Sequence, residues 1–105
     1  MGQDVIADIV RRIVAAAQPE KIILFGSRAR GDGRPDSDFD LLVIKHSTEP
    51  RYRRDAPLYV ALAGLNVPVD VLVYTPEEVR EWSAVPLAFI TTAIREGRVL
   101  YEREG

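Results

Sequence analysis

Three short apolar runs, Lys21 to Phe25, Phe39 to Lys45 and Asn66 to Tyr74, alternate along the chain with segments of helical pattern. That alternation limits the possible architectures more than any other feature. The runs are too brief for core helices, and residues that break structure lie between them: Gly26, the Gly, Pro and Asp residues of 32–37, and Pro76. They read as strands. In the third, Val67, Val69, Val71 and Val73 line one face, and Asp70 points to the opposite one.

The segments between are helical. Val5, Ile6, Ile9, Val10, Ile13, Val14 and Ala17 recur at helical spacing, with Asp4, Asp8, Arg11 and Arg12 on the other side. This predicts an amphipathic helix from about Asp4 to Ala17, ended by Pro19. After the first strand, Gly26-Ser27 leads into a short helix stopped by Gly31. His46 to Arg54 is polar and irregular. Asp55 is expected to cap a helix reaching about Leu65, with Pro57 tolerated in its first turn. Thr75-Pro76-Glu77-Glu78 spells a capping box. A last helix is expected from Ser83 to Glu96, stopped by Gly97, and then a short strand from Arg98 to Tyr101. The order α-β-α-β-α-β-α-α-β implies an α/β (α+β) fold: a small mixed sheet with helices packed on it, in one domain covering 1–105.

Composition excludes several function classes. With no cysteine there is no disulfide, thiolate metal site or cysteine nucleophile. The single histidine, His46, cannot build a histidine-rich metal site alone. A net charge of −2 gives no support to bulk binding of DNA or RNA. No stretch approaches about 18 consecutive apolar residues, so no membrane span is expected. The N-terminus carries early acids and does not read as a signal peptide, which points to the cytoplasm.

The chemistry concentrates in Gly26-Ser27-Arg28-Ala29-Arg30-Gly31 and Ser37-Asp38-Phe39-Asp40-Leu41. A glycine closing a strand lets a ligand approach the backbone. The helix that follows offers free N–H groups and a positive dipole end to an anion. Ser27 adds a hydroxyl, and Arg28 and Arg30 add charge suited to phosphate. Alone, such a segment is more often a plain turn with surface arginines. Asp38 and Asp40 alter that balance. At i and i+2 on a strand their carboxylates share a face, where they repel each other and resist burial. A divalent ion relieves the repulsion, and magnesium takes one or two carboxylates together with substrate phosphates. Asp70 lies inside an apolar strand, where an unpaired acid is unfavourable. An arginine partner would explain it; a metal shared with Asp38 and Asp40 explains it better. A phosphate cradle beside clustered carboxylates suits two-metal phosphoryl or nucleotidyl transfer. No Walker motif is present, so P-loop hydrolysis is not expected.

Gly26-Ser27, ten residues, then Asp38-Phe39-Asp40 resembles the signature of the polymerase-beta-like nucleotidyltransferase superfamily. Gly-Ser-Arg-Ala-Arg-Gly with Ser-Asp-Phe-Asp-Leu is closely similar to prokaryotic minimal nucleotidyltransferases, the MNT proteins. The similarity extends to the Val-Asp-Val-Leu-Val-Tyr strand and the Thr-Pro-Glu-Glu helix start. It implies a nucleotidyltransferase fold, with Asp38 and Asp40 binding two Mg2+ ions and Asp70 completing the site of the ion that activates the nucleophile. It also implies that Gly26 and Ser27, assisted by Arg28, hold the β- and γ-phosphates of ATP. Nothing in the motif reaches the base.

The resemblance further implies a biology. MNT proteins often act as antitoxins paired with a HEPN-domain ribonuclease toxin, transferring AMP from ATP to a toxin tyrosine or blocking the toxin by binding. The short chain fits a partnership, since larger relatives carry a helical domain that helps bind nucleotide and acceptor. Assembly as a homo- or hetero-oligomer would follow from an exposed apolar helix face. A non-catalytic antitoxin and a small-molecule nucleotidyltransferase are the alternatives. Arg51, Tyr52, Arg53 and Arg54 could meet triphosphate or partner, or simply form a solvated helix entry. Tyr59 and Tyr74 read as core or sheet-edge residues. Trp82 and Phe89 read as core or partner interface.

Overall fold

The chain was analysed as a computed structural model, which describes residues 2–31, 38–85 and 88–104. Its elements follow in the order α1 (Gly2–Ala17), β1 (Lys21–Phe25), α2 (Ser27–Arg30), β2 (Phe39–Ile44), α3 (Arg51–Arg54), α4 (Ala56–Leu62), β3 (Val69–Tyr74), α5 (Pro76–Trp82), α6 (Phe89–Glu96) and β4 (Arg98–Glu102). The sheet order is β3-β2-β1-β4. β1 runs antiparallel to both its neighbours, and β2 and β3 run parallel, so the sheet is mixed as the sequence implied.

Strand alternation divides the core between the two sheet faces. Ile22 and Leu24 of β1, Phe39, Leu41 and Val43 of β2, and Val71 and Val73 of β3 pack with Ile9 and Ile13 of α1 and Leu58 and Leu62 of α4. On the opposite face Ile23, Leu42, Ile44 and Tyr74 pack with Ile90 of α6, flanked by Val79 of α5. β2 is therefore buried on both faces, which is why Leu41 to Ile44 is a continuous apolar run.

Helix ends account for most differences from the sequence reading. α4 stops at Leu62 rather than Leu65, because Ala63 turns extended and Arg12 Nη1 donates to the Ala61 and Ala63 carbonyls, each at 3.1 Å. β3 begins at Val69 rather than Asn66, which adopts a left-handed φ of 59°. The final helix begins at Phe89, not Ser83. Pro86 lies within the expected span, and the residue before a proline is biased away from helical geometry. That helix stops at Gly97, which turns extended, and a Cβ there would strike the Ala93 carbonyl, the Ile23 side chain and the Leu24 carbonyl, so α6 closes tightly on β1. The Thr75–Glu78 capping box forms in both directions, at 3.2 and 2.9 Å. The loop expected at Asp32 to Ser37 lies outside the described residues. Among the described residues, no helix is long and apolar enough to cross a membrane.

The polar segment before α4 also contains structure. Arg51–Arg54 forms a short helix, α3. Arg54 is nearly enclosed and makes a two-pronged ion pair with Glu78 at 2.7 and 3.2 Å. It also donates to the Glu49 carbonyl at 2.8 Å and the Val73 carbonyl at 3.3 Å. Arg51 lies over the Tyr74 ring and donates to its hydroxyl at 2.9 Å. These two arginines tie α3 to β3 and α5. Tyr52 is exposed, at 80%.

Candidate active site

The glycine turn and the acids meet at one end of the sheet. Phe25, the last residue of β1, pairs with Asp40 of β2, and Asp40 pairs in turn with Asp70 of β3. Phe25, Asp40 and Asp70 therefore form one row across three strands, and their side chains share a face. Asp38 sits just before β2, and its carboxyl lies close enough to that of Asp70 to raise it. Parallel pairing of β2 with β3 thus supplies the neighbourhood that the sequence reading needed for three acids to converge.

Gly26 follows Phe25 with φ 78° and ψ −159°, a backbone state that suits glycine. Its missing side chain has a second use. A Cβ at this position would collide with Asp40 Oδ2, so the carboxylate lies directly against the glycine backbone. The chain then enters α2, where the Gly26 carbonyl accepts from the N–H groups of Ala29 and Arg30 at 3.1 and 3.2 Å. The N–H groups at the start of such a helix fall outside its own ladder. Ser27 is the first residue of α2 and is half-buried.

The electrostatics are those of crowded negative charge. Burial pushes the Asp40 carboxyl above its ordinary range, the charges of Asp70 and Asp38 push it further, and Arg30 partly offsets them. Asp70, though largely open to solvent, is also raised, first by desolvation and then by the neighbouring Asp38 carboxyl. Crowded carboxylates of this kind are what a bound cation relieves. The donor set is all oxygen, which is magnesium's preference. Yet among the described residues no three acidic or histidine side chains are gathered as a ready-made metal centre. The acids are close enough to repel, but are not drawn into a ligand cage.

The two arginines of α2 part company. Arg30 lines the cavity with Asp40. Arg28 places its guanidinium 3.9 Å from the centre of the Phe39 ring. Of the pair, Arg30 lies on the side of the acids, while Arg28, expected with it to carry charge suited to phosphate, stacks on Phe39. The cavity has a volume of about 640 Å3, and its walls include Gly26, Asp40 and Asp70 on one side and Phe89, Thr92 and Glu96 of α6 on another. The α6 wall escaped sequence reasoning. Its signal was present in the i, i+3, i+7 spacing of Phe89, Thr92 and Glu96. Phe89 meets Phe25 edge to face, with ring centres 5.3 Å apart. Asp55 was expected as a cap; it makes no side-chain capping bond and lines the cavity instead. Tyr59 and Tyr74 lie at the sheet edge and in the core, as expected, and Trp82 and Phe89 are about half exposed.

Comparison with known proteins places this site in context. Residues 4–101 match the family described as nucleotidyltransferase domain. Among solved structures, the fold is similar to a toxin-antitoxin crystallised with AMP-PNP, with a TM-score of 0.64 and 22% identity over 94% of this chain and 74% of that one. It is also similar to a mutant of the MntA-HpeT toxin-antitoxin, with a TM-score of 0.62 and 19% identity over the same shares of both chains. No curated protein sequence matches the chain.

Proposed function

Because the chain belongs to the nucleotidyltransferase domain family, we propose that it transfers AMP from ATP to a tyrosine hydroxyl of a partner HEPN ribonuclease toxin, and so acts as its antitoxin. The observation that carries this reading is that Asp40 and Asp70, paired across β2 and β3, open with Gly26 into one cavity, with Asp38 close enough to raise the Asp70 carboxyl. The toxin-antitoxin assemblies that share the fold, one of them with AMP-PNP, support the choice of partner and nucleotide.

In this reading Asp38, Asp40 and Asp70 would hold magnesium, which would supply positive charge to offset the triphosphate and the crowded carboxylates. Gly26 and Ser27 receive the β- and γ-phosphates at the start of α2, and Arg30 adds charge from the cavity wall. The acceptor oxygen bonds to the α-phosphorus as the bond to the bridging oxygen of pyrophosphate breaks. Pyrophosphate departs, and the hydroxyl proton passes to the carboxylate of Asp70.

The test is mass spectrometry of the toxin after incubation with this protein, ATP and magnesium. An added AMP on a tyrosine is expected, and its loss with Asp38→Ala plus Asp40→Ala. Transfer that survives the double substitution would falsify the mechanism. One competing reading is neutralisation by binding alone. It would be chosen if the wild-type protein silenced the toxin without modifying it.

A further inference from the structure

The glycine turn and the acids account for a metal and a triphosphate, but the cavity has a further wall with chemistry of its own. Phe89, Thr92 and Glu96 stand on one face of α6, and all three line the cavity that holds Gly26, Asp40 and Asp70. Their direction is fixed by the rest of the helix. Ile90 packs in the core with Ile23 of β1, Ala93 is buried, and Gly97 brings the end of α6 against the β1 backbone. Phe89 meets Phe25, which is the register neighbour of Asp40. Neighbouring strands lie about 4.8 Å apart, and the two rings are 5.3 Å from centre to centre. Phe89 is thus two short steps from Asp40, a gap that a ribose spans. α2 lies past the end of β1, whereas α6 lies over its face.

This wall combines a flat apolar face with acceptors. Phe89 remains 55% exposed despite its contact with Phe25. An open aromatic ring beside a phosphate site is a stacking platform for a nucleobase. Glu96 closes the row from the last turn of α6. The carbonyls of a last turn lack partners within their helix, and a carboxylate beside them adds to an acceptor-rich end. Glu96 contacts Arg95 at 3.6 Å, with both side chains about half exposed, an ion pair that contributes little and leaves the carboxylate available to a ligand. Thr92, half-buried between the two, adds a hydroxyl that donates or accepts. Such an end suits an exocyclic amino group and repels a base carbonyl. Adenine presents an amino group beside a ring-nitrogen acceptor, which matches Glu96 beside Thr92. Uracil, hypoxanthine and guanine place a carbonyl where that amino group would be. Cytosine has a similar edge on a smaller ring, which stacks less.

We infer that the α6 wall is the base subsite and that it selects adenine: Phe89 stacks on the purine, Glu96 accepts from the 6-amino group, and Thr92 donates to the adjoining ring nitrogen. The inference rests on the AMP-transfer reading, and adds to it the residues that choose the nucleotide, which the glycine and aspartate motifs do not reach.

The test is isothermal titration calorimetry of the full chain with magnesium and α,β-methylene triphosphates, whose α–β linkage does not break. The adenosine and purine riboside compounds are compared first, since they differ only in the 6-amino group. The adenosine compound should bind at least about tenfold more tightly. Glu96→Leu should reduce that difference to about twofold or less, while leaving the purine riboside compound within about twofold of its wild-type affinity. A merely structural role for Glu96 would weaken both compounds. Phe89→Ala should weaken both by about fivefold or more. Equal binding of the two compounds by the wild-type chain, an adenosine preference that survives Glu96→Leu, unchanged binding to Phe89→Ala, or tighter binding of the guanosine compound would each overturn the subsite. The wild-type comparisons decide the matter even if a variant fails to fold. Inorganic tripolyphosphate with magnesium separates the two readings. If neither it nor any nucleotide binds, the AMP-transfer reading is what fails. If triphosphates bind with no dependence on the base, only the subsite fails.

Discussion

Asp40 and Asp70 are directly paired residues of adjacent parallel strands, and the charge of Asp70 adds to burial in raising the Asp40 carboxyl. Both carboxyls sit above their ordinary range, so folding favours their protonated forms. The stabilisation from protonation is complete below the unfolded carboxylate range, near about pH 4. It is lost as pH rises through the raised folded values, leaving mutual repulsion at neutral pH. Asp40→Asn is therefore expected to raise the melting temperature by a few degrees at pH 7 and to change it little at pH 3, while lowering AMP transfer by about a hundredfold or more. Scanning calorimetry at the two pH values, beside a transfer assay, checks both halves. A variant less stable than wild type at pH 7 would sink the electrostatic account.

Magnesium should act on the same repulsion. The wild-type melting temperature is expected to rise with added magnesium as the ion binds the folded state, by about 2.7 kcal/mol at one hundred times its dissociation constant. The gain should be largely absent in a protein carrying Asp38→Asn, Asp40→Asn and Asp70→Asn together. Equal stabilisation of both proteins would place the ion elsewhere.

Gly26 admits no side chain. Gly26→Ala forces an unfavourable φ and drives a methyl group into Asp40 Oδ2. A loss of about 1–3 kcal/mol is expected from the backbone alone, together with loss of nucleotide binding. Denaturant unfolding and a titration with an ATP analogue measure the two effects. An alanine variant that kept both would contradict the close approach of carboxylate and backbone.

Arg54 and Arg53 are neighbours with opposite prospects. Removing Arg54 takes the ion-pair partner from Glu78 and a donor from two backbone carbonyls, so Arg54→Ala should cost about 3 kcal/mol. Arg53 is exposed, and Arg53→Ala should stay within about 0.5 kcal/mol of wild type. The same pair has a pH signature. Arg54 holds the Glu78 carboxyl below its ordinary range. That stabilisation is present above the unfolded glutamate value and disappears as pH falls through the lowered one. Glu78→Gln should flatten the acid limb of a stability-versus-pH curve, and an unchanged limb would refute the assignment.

The three acids could be found in the sequence because strand parity and motif spacing are local properties: Asp38 and Asp40 flank Phe39, and Asp70 interrupts a run of valines. Their convergence was conditional there, since only the register of β2 on β3 brings Asp70 opposite Asp40. α3 was invisible because Arg51-Tyr52-Arg53-Arg54 has no apolar period; it is held through Arg54 to Glu78, a contact made across 24 residues of sequence. The start of α6 was legible in Pro86, but the helical pattern before it outweighed that signal. The division of labour between Arg28 and Arg30 was not legible. Residues two apart on a helix point in different directions, but which one faces Asp40 depends on where the Phe39 ring lies.

β2 serves two tasks with alternate residues. Phe39, Leu41 and Val43 belong to one core, while Asp40, Leu42 and Ile44 face the other side. A single inserted or deleted residue inside this strand would exchange the two sets, burying the carboxylate among aliphatics and exposing aliphatics at the reaction centre. For anyone engineering or evolving this protein, substitutions in β2 are graded changes but indels are all-or-none. Length variation must be absorbed in the connections on either side.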